Sequence, residues 1–453
     1  MTSRGLIRKM PKVVIIGAGV SGLSCAQRLS KYPNFDVVVI EASNRLGGRI
    51  KSVELEEYKA DIGASWMHET RHNELFNLAL KQKWPMKFTD INTVLATQNG
   101  ALPATAGITP IMDELEAMIF EDYHQNDELF NEYSDTSVKS KPEGSLDTYI
   151  DDALQKMPLV SSEQKHMASL FFRQIEHFIG QTIQEIPASE GLTSSQRGRD
   201  VFMTGNGYTE VIDYILRNTN KSQVDYKLEE EVKKCIKRSD GKYLIQSSSE
   251  EYEADFVVCT IPLGALKNNR SEILQFDIPN SLHSAIEKTS LAYLGKVVLK
   301  FDAIFWDSSI DGVFAVNTET QEPVTVVMPS KDVPVLMLLI GPPLTLELEK
   351  KPELAYDRVK WVFDVIKSDN NKSIPRLRDI KVSDWSCNPN FMCSYSARSI
   401  GQNYSDMIQP FIDGVENFRF AGEHTVYDGS GCVHGAYESG LREADYIKSC
   451  LDN

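Results

Sequence analysis

Gly17-Ala18-Gly19-Val20-Ser21-Gly22 stands directly behind Val13-Val14-Ile15-Ile16, an apolar β-branched run of strand length, and ahead of Leu23, Cys25, Ala26 and Leu29 at helical spacing. That order reads as strand, tight turn, helix. Gly17 permits the turn, Gly19 lets the backbone approach a pyrophosphate, and Gly22 lets the helix lie close on the strand, while the helix N-terminus attracts the anion. A second apolar run, Val37-Val38-Val39-Ile40, ends in Glu41, where a carboxylate can accept hydrogen bonds from ribose hydroxyls. A glycine turn alone says little, but this unit with its acidic end points to a dinucleotide.

Immediately after Glu41, Ala42-Ser43-Asn44-Arg45-Leu46-Gly47-Gly48-Arg49 adds a glycine pair flanked by arginines, suited to a second close backbone approach and to neutralising phosphate. Near the other end, Phe418-Arg419-Phe420-Ala421-Gly422-Glu423-His424-Thr425 leads through Cys432-Val433-His434-Gly435-Ala436 to Gly440. This reads as strand, glycine-rich loop and a helix beginning near Gly435-Ala436, whose amides would face an anion or a developing negative charge. A turn with no ligand is the plainer reading of that loop taken alone.

Other residues could carry chemistry but are ambiguous by themselves. Lys296 opens a strand-like run to Phe301, and its face also holds Leu294, Val298 and Lys300, so periodicity leaves its burial open. His68 could hold or move a proton, or it is a hydrogen-bonded structural histidine. Asp90 follows the apolar Phe88 and could pair with a cationic group of a ligand, or be solvated. Met167, Leu170, Phe171, Ile175, Phe178 and Ile179 form a helical stripe that is mostly core.

A chain of 453 residues has length for two or three domains at about 150 residues each. With 42% apolar and 25% charged residues it is a folded protein and not a disordered or fibrous one. Its 48 Lys and Arg against 64 Asp and Glu leave a net charge of −16, which repels nucleic-acid phosphate and anionic lipid. A surface serving solubility is the commoner origin of such a field; attraction of a cationic ligand is the other. Seven cysteines without CxxC or Cys/His spacing suit a reducing compartment and suggest neither a metal site nor a disulfide framework. The run Val13–Ile16 is too short for a signal sequence, Val335–Ile340 suits a buried strand, and Leu451-Asp452-Asn453 is no peroxisomal address. A cytoplasmic protein without membrane or nucleic-acid partners is expected. The polar stretch 126–143 reads as a surface excursion with a short helix.

The Glu41–Arg49 stretch resembles the E-A-x-x-R-x-G-G-R segment of the flavin-dependent amine oxidase family, and Ala421–Thr425 with Gly435–Gly440 is similar to the carboxy-terminal FAD motif of polyamine oxidases. Asp61-Ile62-Gly63-Ala64-Ser65-Trp66-Met67-His68 resembles the family's G-A-x-W-x-H segment, Ala254–Leu266 its strand and proline turn, and Leu294-Gly295-Lys296-Val297 the strand bearing its lysine. The resemblance runs from about residue 12 to 448 and is nearest the fungal, spermine-oxidising branch. It implies an α/β protein of the FAD-linked amine oxidase fold: a discontinuous Rossmann-like FAD-binding domain (1–89, 200–288, 400–453) and an α+β substrate-binding domain (90–199, 289–399).

The same resemblance implies the roles. Noncovalent FAD would be held by Gly17, Gly19, Gly22, Glu41, Arg49, Gly63, Ala64, Ser65, Trp66, Val232, Thr260, Pro262, Trp385, Gly422, Glu423, Cys432, Val433 and Ala436. Lys296, His68, Asp200 and Tyr395 would be catalytic, Asp90 would set the register of the substrate, and Phe178 would be a wall of the active site. Asp200 departs from the pattern, in which a hydrogen-bonding residue, often Asn or Glu, stands after Gly198-Arg199; a carboxylate there would bind an ammonium more strongly than an amide. Monoamine oxidases carry a flavin-linked cysteine directly before the tyrosine matched by Tyr395. Here Ser394 precedes it, Cys393 is one place early, and Cys432 takes the second aromatic position. The implied reaction is polyamine oxidation, of spermine or an N-acetylated relative, with O2 reduced to H2O2 and spermidine and 3-aminopropanal formed from spermine. Two alternatives share the fold: an L-amino-acid oxidase, for which no matched segment supplies a spare arginine, and a corticosteroid-binding protein.

Overall fold

The computed structural model describes residues 10–68, 70–71, 73–89, 91–97, 100–103, 111, 144–157, 160–188, 200–317, 319–369 and 373–452. Asp90 and the 126–143 excursion lie outside the described residues. Two compact units form: Met1–Ile50, Thr209–Glu287 and Ile408–Asn453 make the first, Lys51–Tyr208 and Lys288–Met407 the second.

In the first unit the apolar runs at 12–16 and 36–40 become central strands of a five-stranded parallel sheet, in the order Val224–Lys227, Asp36–Ile40, Lys12–Ile16, Phe256–Cys259, Phe418–Phe420. Continuous β-branched runs suit strands buried on both faces, and Val13, Val14 and Ile15 are fully buried. Between the first two strands the helix Val20–Leu29 begins straight from Gly19. Val433–Asp452 packs along it so closely that a Cβ on Gly440 would lie 2.0 Å from the Ser21 carbonyl oxygen; Ser24 Oγ also donates to the Tyr437 carbonyl at 2.8 Å. This closing helix begins at Val433, a short way before the expected start near Gly435. A smaller sheet joins Glu251–Ala254, Tyr243–Ser247, Val232–Lys237 and Leu274–Gln275.

The second unit is built on a seven-stranded sheet in the order Leu377–Val382, Gly295–Phe301, Val335–Ile340, Pro323–Val327, Gly312–Val316, Ile91–Thr97, Gly100–Pro103. Its pairings are antiparallel except that of Gly312–Val316 with Ile91–Thr97. One face packs Val297, Leu299 and Phe301 with Leu344, Val359 and Phe363 of the helices beyond. On the other, Val298 meets Leu55, Ile62 and Trp385. The helical stripe is real: Ser162–Phe172 starts at a Ser161/Gln164 capping box and continues through Arg173–Ile175 and Glu176–Ile179, ending at Gly180 with φ 72°.

Residues 51–89, 200–208 and 400–407 lie in the second unit, whereas the expected boundaries put them with the dinucleotide motifs. The cause is local pairing. Ser52–Leu55 and Tyr58–Asp61 form a hairpin whose Leu55 and Ala60 are buried in the second unit's core, and Trp66–Met67 and Met86–Phe88 both pair with Val201–Met203.

Candidate functional site

In the first unit Gly17 has φ 100°, a conformation that favours glycine. A Cβ there would lie 2.4 Å from Thr260 Oγ1, and one on Gly22 would lie 2.0 Å from the Gly17 carbonyl oxygen. At Gly19, by contrast, a Cβ meets no atom within 4 Å. The loop is thus crowded at Gly17 and Gly22 and open at Gly19. Gly47 and Gly48 abut it: the Gly47 N–H donates to the Ala18 carbonyl at 2.8 Å, and a Cβ on Gly48 would lie 3.1 Å from Gly19 Cα.

Glu41 is buried, with Oε2 accepting the Ala18 N–H at 2.7 Å and Oε1 accepting the Ser43 N–H and hydroxyl at 2.9 and 2.6 Å. Carboxylate oxygens have capacity for further donors such as ribose hydroxyls. Arg45 bonds carbonyls of its own loop, Gly48 and Ile50, so the first of the two arginines braces the loop. Arg49 pairs with buried Glu423 at 3.0 Å. Thr260 donates its hydroxyl to the Ile16 carbonyl at 2.8 Å, Pro262 caps the helix Leu263–Ile273, and Val232 is buried in its strand. The Gly422 N–H is held by Ser439 Oγ at 2.8 Å. Cys432 immediately precedes the closing helix, where Val433 is first and Ala436 is buried. The open Gly19 cradle with its adjoining carboxylate fits a dinucleotide, and these residues would hold one.

The second unit resolves the lysine. Lys296 is buried, as is Lys300 on the same strand face, but the two meet different partners: Lys300 reaches Glu56 and Glu57 at 2.8 and 2.6 Å. Lys296 Nζ instead donates to the carbonyl oxygens of Asp61, at 3.2 Å, and Gly63, and to Ser65 Oγ, with the Trp66 ring 5.4 Å away. Burial pulls its pKa down to about 7, against the lift from the buried Asp61 carboxylate. Burial pushes Asp61 itself upward, despite hydrogen bonds from Ser52 Oγ at 2.6 Å and the Tyr208 N–H at 2.9 Å. Asp61 was not among the expected site residues; its only signal was its place at the head of the Gly63–His68 segment. Ala64 is half-buried, and the Trp66 indole N–H donates to Thr89 Oγ1 at 3.2 Å.

His68 Nδ1 lies 2.7 Å from Asp200 Oδ2. The ladder explains the pair, because Trp66 and Met67 stand opposite Phe202 and Val201, so the next position on each side is His68 and Asp200. Asp200, expected to bind a substrate ammonium, is therefore also in contact with the imidazole. Asn73, unremarked in the sequence, donates to the His68 carbonyl at 2.7 Å while its Oδ1 caps the helix Glu74–Gln82. Side-chain exposures of 38% for His68 and 36% for Asp200 leave both open to a solute. Tyr395 donates its hydroxyl to the Phe178 carbonyl at 2.8 Å, and Phe178 is 57% exposed on a stripe whose other members pack inward. Ser394 Oγ donates to the Leu294 carbonyl at 2.7 Å. Trp385 is buried, edge-on to Phe391 in the apolar cluster behind Val298. Among the described residues no cluster of His, Cys, Asp and Glu could hold a metal ion, and no helix is long and apolar enough to cross a membrane.

The sequence model of flavin containing amine oxidoreductases matches residues 187–448, and that of NAD(P)-binding Rossmann-like domains matches residues 15–80. A corticosteroid-binding protein of Candida albicans is 29% identical, over 97% of this chain and 96% of its own. Polyamine oxidase 4 of Oryza sativa subsp. japonica is 28% identical over 96% and 88%, and polyamine oxidase 1 of Zea mays 25% over 97% and 91%. The structure of cyclohexylamine oxidase from Brevibacterium oxydans superposes with a TM-score of 0.76 at 16% identity, covering 98% of this chain and 100% of that one. Because the family match spans more than half of the chain and takes in both the strand of Lys296 and the Gly422–Ala436 loop, this protein belongs to the family of flavin containing amine oxidoreductases.

Proposed function

We propose that the protein is a polyamine oxidase of the fungal, spermine-oxidising kind, converting spermine, or an N-acetylated relative, to spermidine and 3-aminopropanal while O2 becomes H2O2. The observation that carries this reading is the His68–Asp200 pair. A carboxylate accepts, so Nδ1 carries the hydrogen and Nε2 is the edge left to hold or take an amine proton. The pair's negative charge when the imidazole is neutral suits a polycation, as does the net charge of −16. When bound, FAD supplies the hydride acceptor and the route of electrons to oxygen. The chain's part is to present a neutral amine, to exclude water and to place Lys296 as a buried group that titrates near neutrality. Tyr395 and Phe178 would flank the substrate, and Asp90 would bind its distal ammonium. The likeness to plant polyamine oxidases supports the reading. We further propose noncovalent FAD, supported by Ser394 in place of a cysteine before Tyr395, and a cytoplasmic location.

The test is anaerobic stopped-flow of the yellow protein against spermine, spermidine, N-acetylspermine, benzylamine and leucine. Rapid bleaching by spermine or its acetyl form and none by leucine is expected, with all flavin released on acid precipitation. Bleaching by no amine would overturn the proposal. The second reading, a steroid-binding protein, is favoured by the Candida relative; equilibrium dialysis with a corticosteroid in the same preparation decides it.

A further inference from the structure

Three acceptors surround Lys296 Nζ, and they differ in kind. The carbonyl oxygens of Asp61 and Gly63 can only accept, whereas Ser65 Oγ can accept or donate. An ammonium has three hydrogens and fills all three. A neutral amine has two hydrogens and a lone pair, so with the hydrogens kept on the two carbonyls the lone pair faces Ser65. Only a hydroxyl can hold its bond in both states.

Ser65 is built for that position. It is 2% exposed, its carbonyl accepts the Met203 N–H at 2.9 Å, and Gly63 ahead of it donates to the Lys51 carbonyl at 3.0 Å. While Ser65 Oγ accepts from the ammonium, its own hydrogen has the carbonyls of Asp61 and Gly63 at 3.4 Å. The other groups around the lysine do not turn over in this way. Trp66 offers a ring face, and the Asp61 carboxylate is committed to Ser52 and Tyr208, with Lys59 adding to the lysine's own stabilisation of its charged form. The Lys296 N–H is bound to Ser383 Oγ, whose hydrogen goes to the Glu349 carboxylate.

We propose that Ser65 is a positioning residue that sets the charge state of Lys296, its hydroxyl accepting from the ammonium and reversing to donate into the lone pair when the proton leaves to solvent. This gives Ser65 a task through the lysine in place of, or beside, cofactor contact, and it builds on the Lys296 role proposed above. Hydrogen bonds to a charged group are worth more than those to a neutral one, so loss of the hydroxyl harms the ammonium more than the amine. The lysine titration falls.

The experiment is NMR titration of the holoenzyme carrying lysine labelled with 13C at Cε, without any amine, the Lys296 signal being assigned by its loss in Lys296→Met. The expected midpoint lies near 7 in the parent, about one pH unit lower in Ser65→Ala, and back toward the parent in Ser65→Thr. If the alanine variant does not fold, Ser65→Cys, of similar volume and a weak acceptor, carries the same expected fall. An unmoved midpoint in Ala or Cys overturns the proposal, as does a threonine variant that titrates like alanine. In parallel, flavin reduction and reoxidation are followed against pH. Midpoints that shift by NMR with no change in either flavin rate uphold the role of Ser65 and instead remove Lys296 from the chemistry.

Discussion

At the scale of single residues, the His68–Asp200 contact makes the first discrimination. If the imidazole handles the amine proton, His68→Ala should slow anaerobic bleaching by about 100-fold, the lower end of what a positioned acid or base contributes. Asp200→Asn keeps an oxygen for Nδ1–H and should cost less than Asp200→Ala, which lets the ring turn and loses about tenfold. The ordering is the test. Equal rates in the asparagine and alanine variants, each with a raised KM, would mean that Asp200 binds the substrate ammonium directly and that its contact with His68 is incidental. The sequence placed both residues in matched segments, yet it could not pair them, since what joins them is the register of two very short strands far apart in the chain. Nor could it decide between a solvated and a buried Lys296. Alternation gave Lys296 and Lys300 the same face and both are buried, but they differ in partners, because the Glu56–Glu57 turn meets Lys300 with carboxylates while the Gly63–Ser65 loop meets Lys296 with neutral acceptors.

Elements were more legible than contacts, for a physical reason: the strand, turn and helix of residues 12–29 are written in local residue types, while domain boundaries depend on which hairpin finds which core. The glycines of these elements divide into two kinds that give opposite expectations. Gly440→Ala puts a Cβ 2.0 Å from the Ser21 carbonyl oxygen, so the helix pair must separate; a loss of about 1–3 kcal/mol and a lower Tm are expected by thermal unfolding. Gly19 sits at φ −71°, ψ 177°, which alanine adopts freely, and its Cβ direction is open. Gly19→Ala should therefore leave the Tm of the flavin-free protein within a degree or two of the parent, while flavin retained through purification falls sharply. Equal flavin content in parent and Gly19→Ala would mean that the cradle faces something other than the pyrophosphate. Trp385 stands buried beside Phe391 in the cluster of Val298, with the Lys51 ammonium 5.6 Å from its ring.

Over the whole molecule, the net charge of −16 has two explanations that composition cannot separate, and ionic strength can. A field that only keeps the protein soluble has no preference among substrates. One that gathers a polycation raises its local concentration, and because the Debye length shrinks from about 20–30 Å near 0.01–0.02 M salt to about 8 Å at 0.15 M, that advantage fades with salt. The attraction scales with ligand charge, so kcat/KM for spermine should fall several-fold between about 20 and 200 mM NaCl, and that for benzylamine less than twofold, while kcat hardly moves for either. The reacting nitrogen must itself be neutral, so the charges that are steered are the distal ammonium groups, and an N-acetylated polyamine, with one fewer, should lie between the two. Equal slopes for all three amines would assign the acidic surface to solubility and leave recognition to groups at the site, His68 and Asp200 among them.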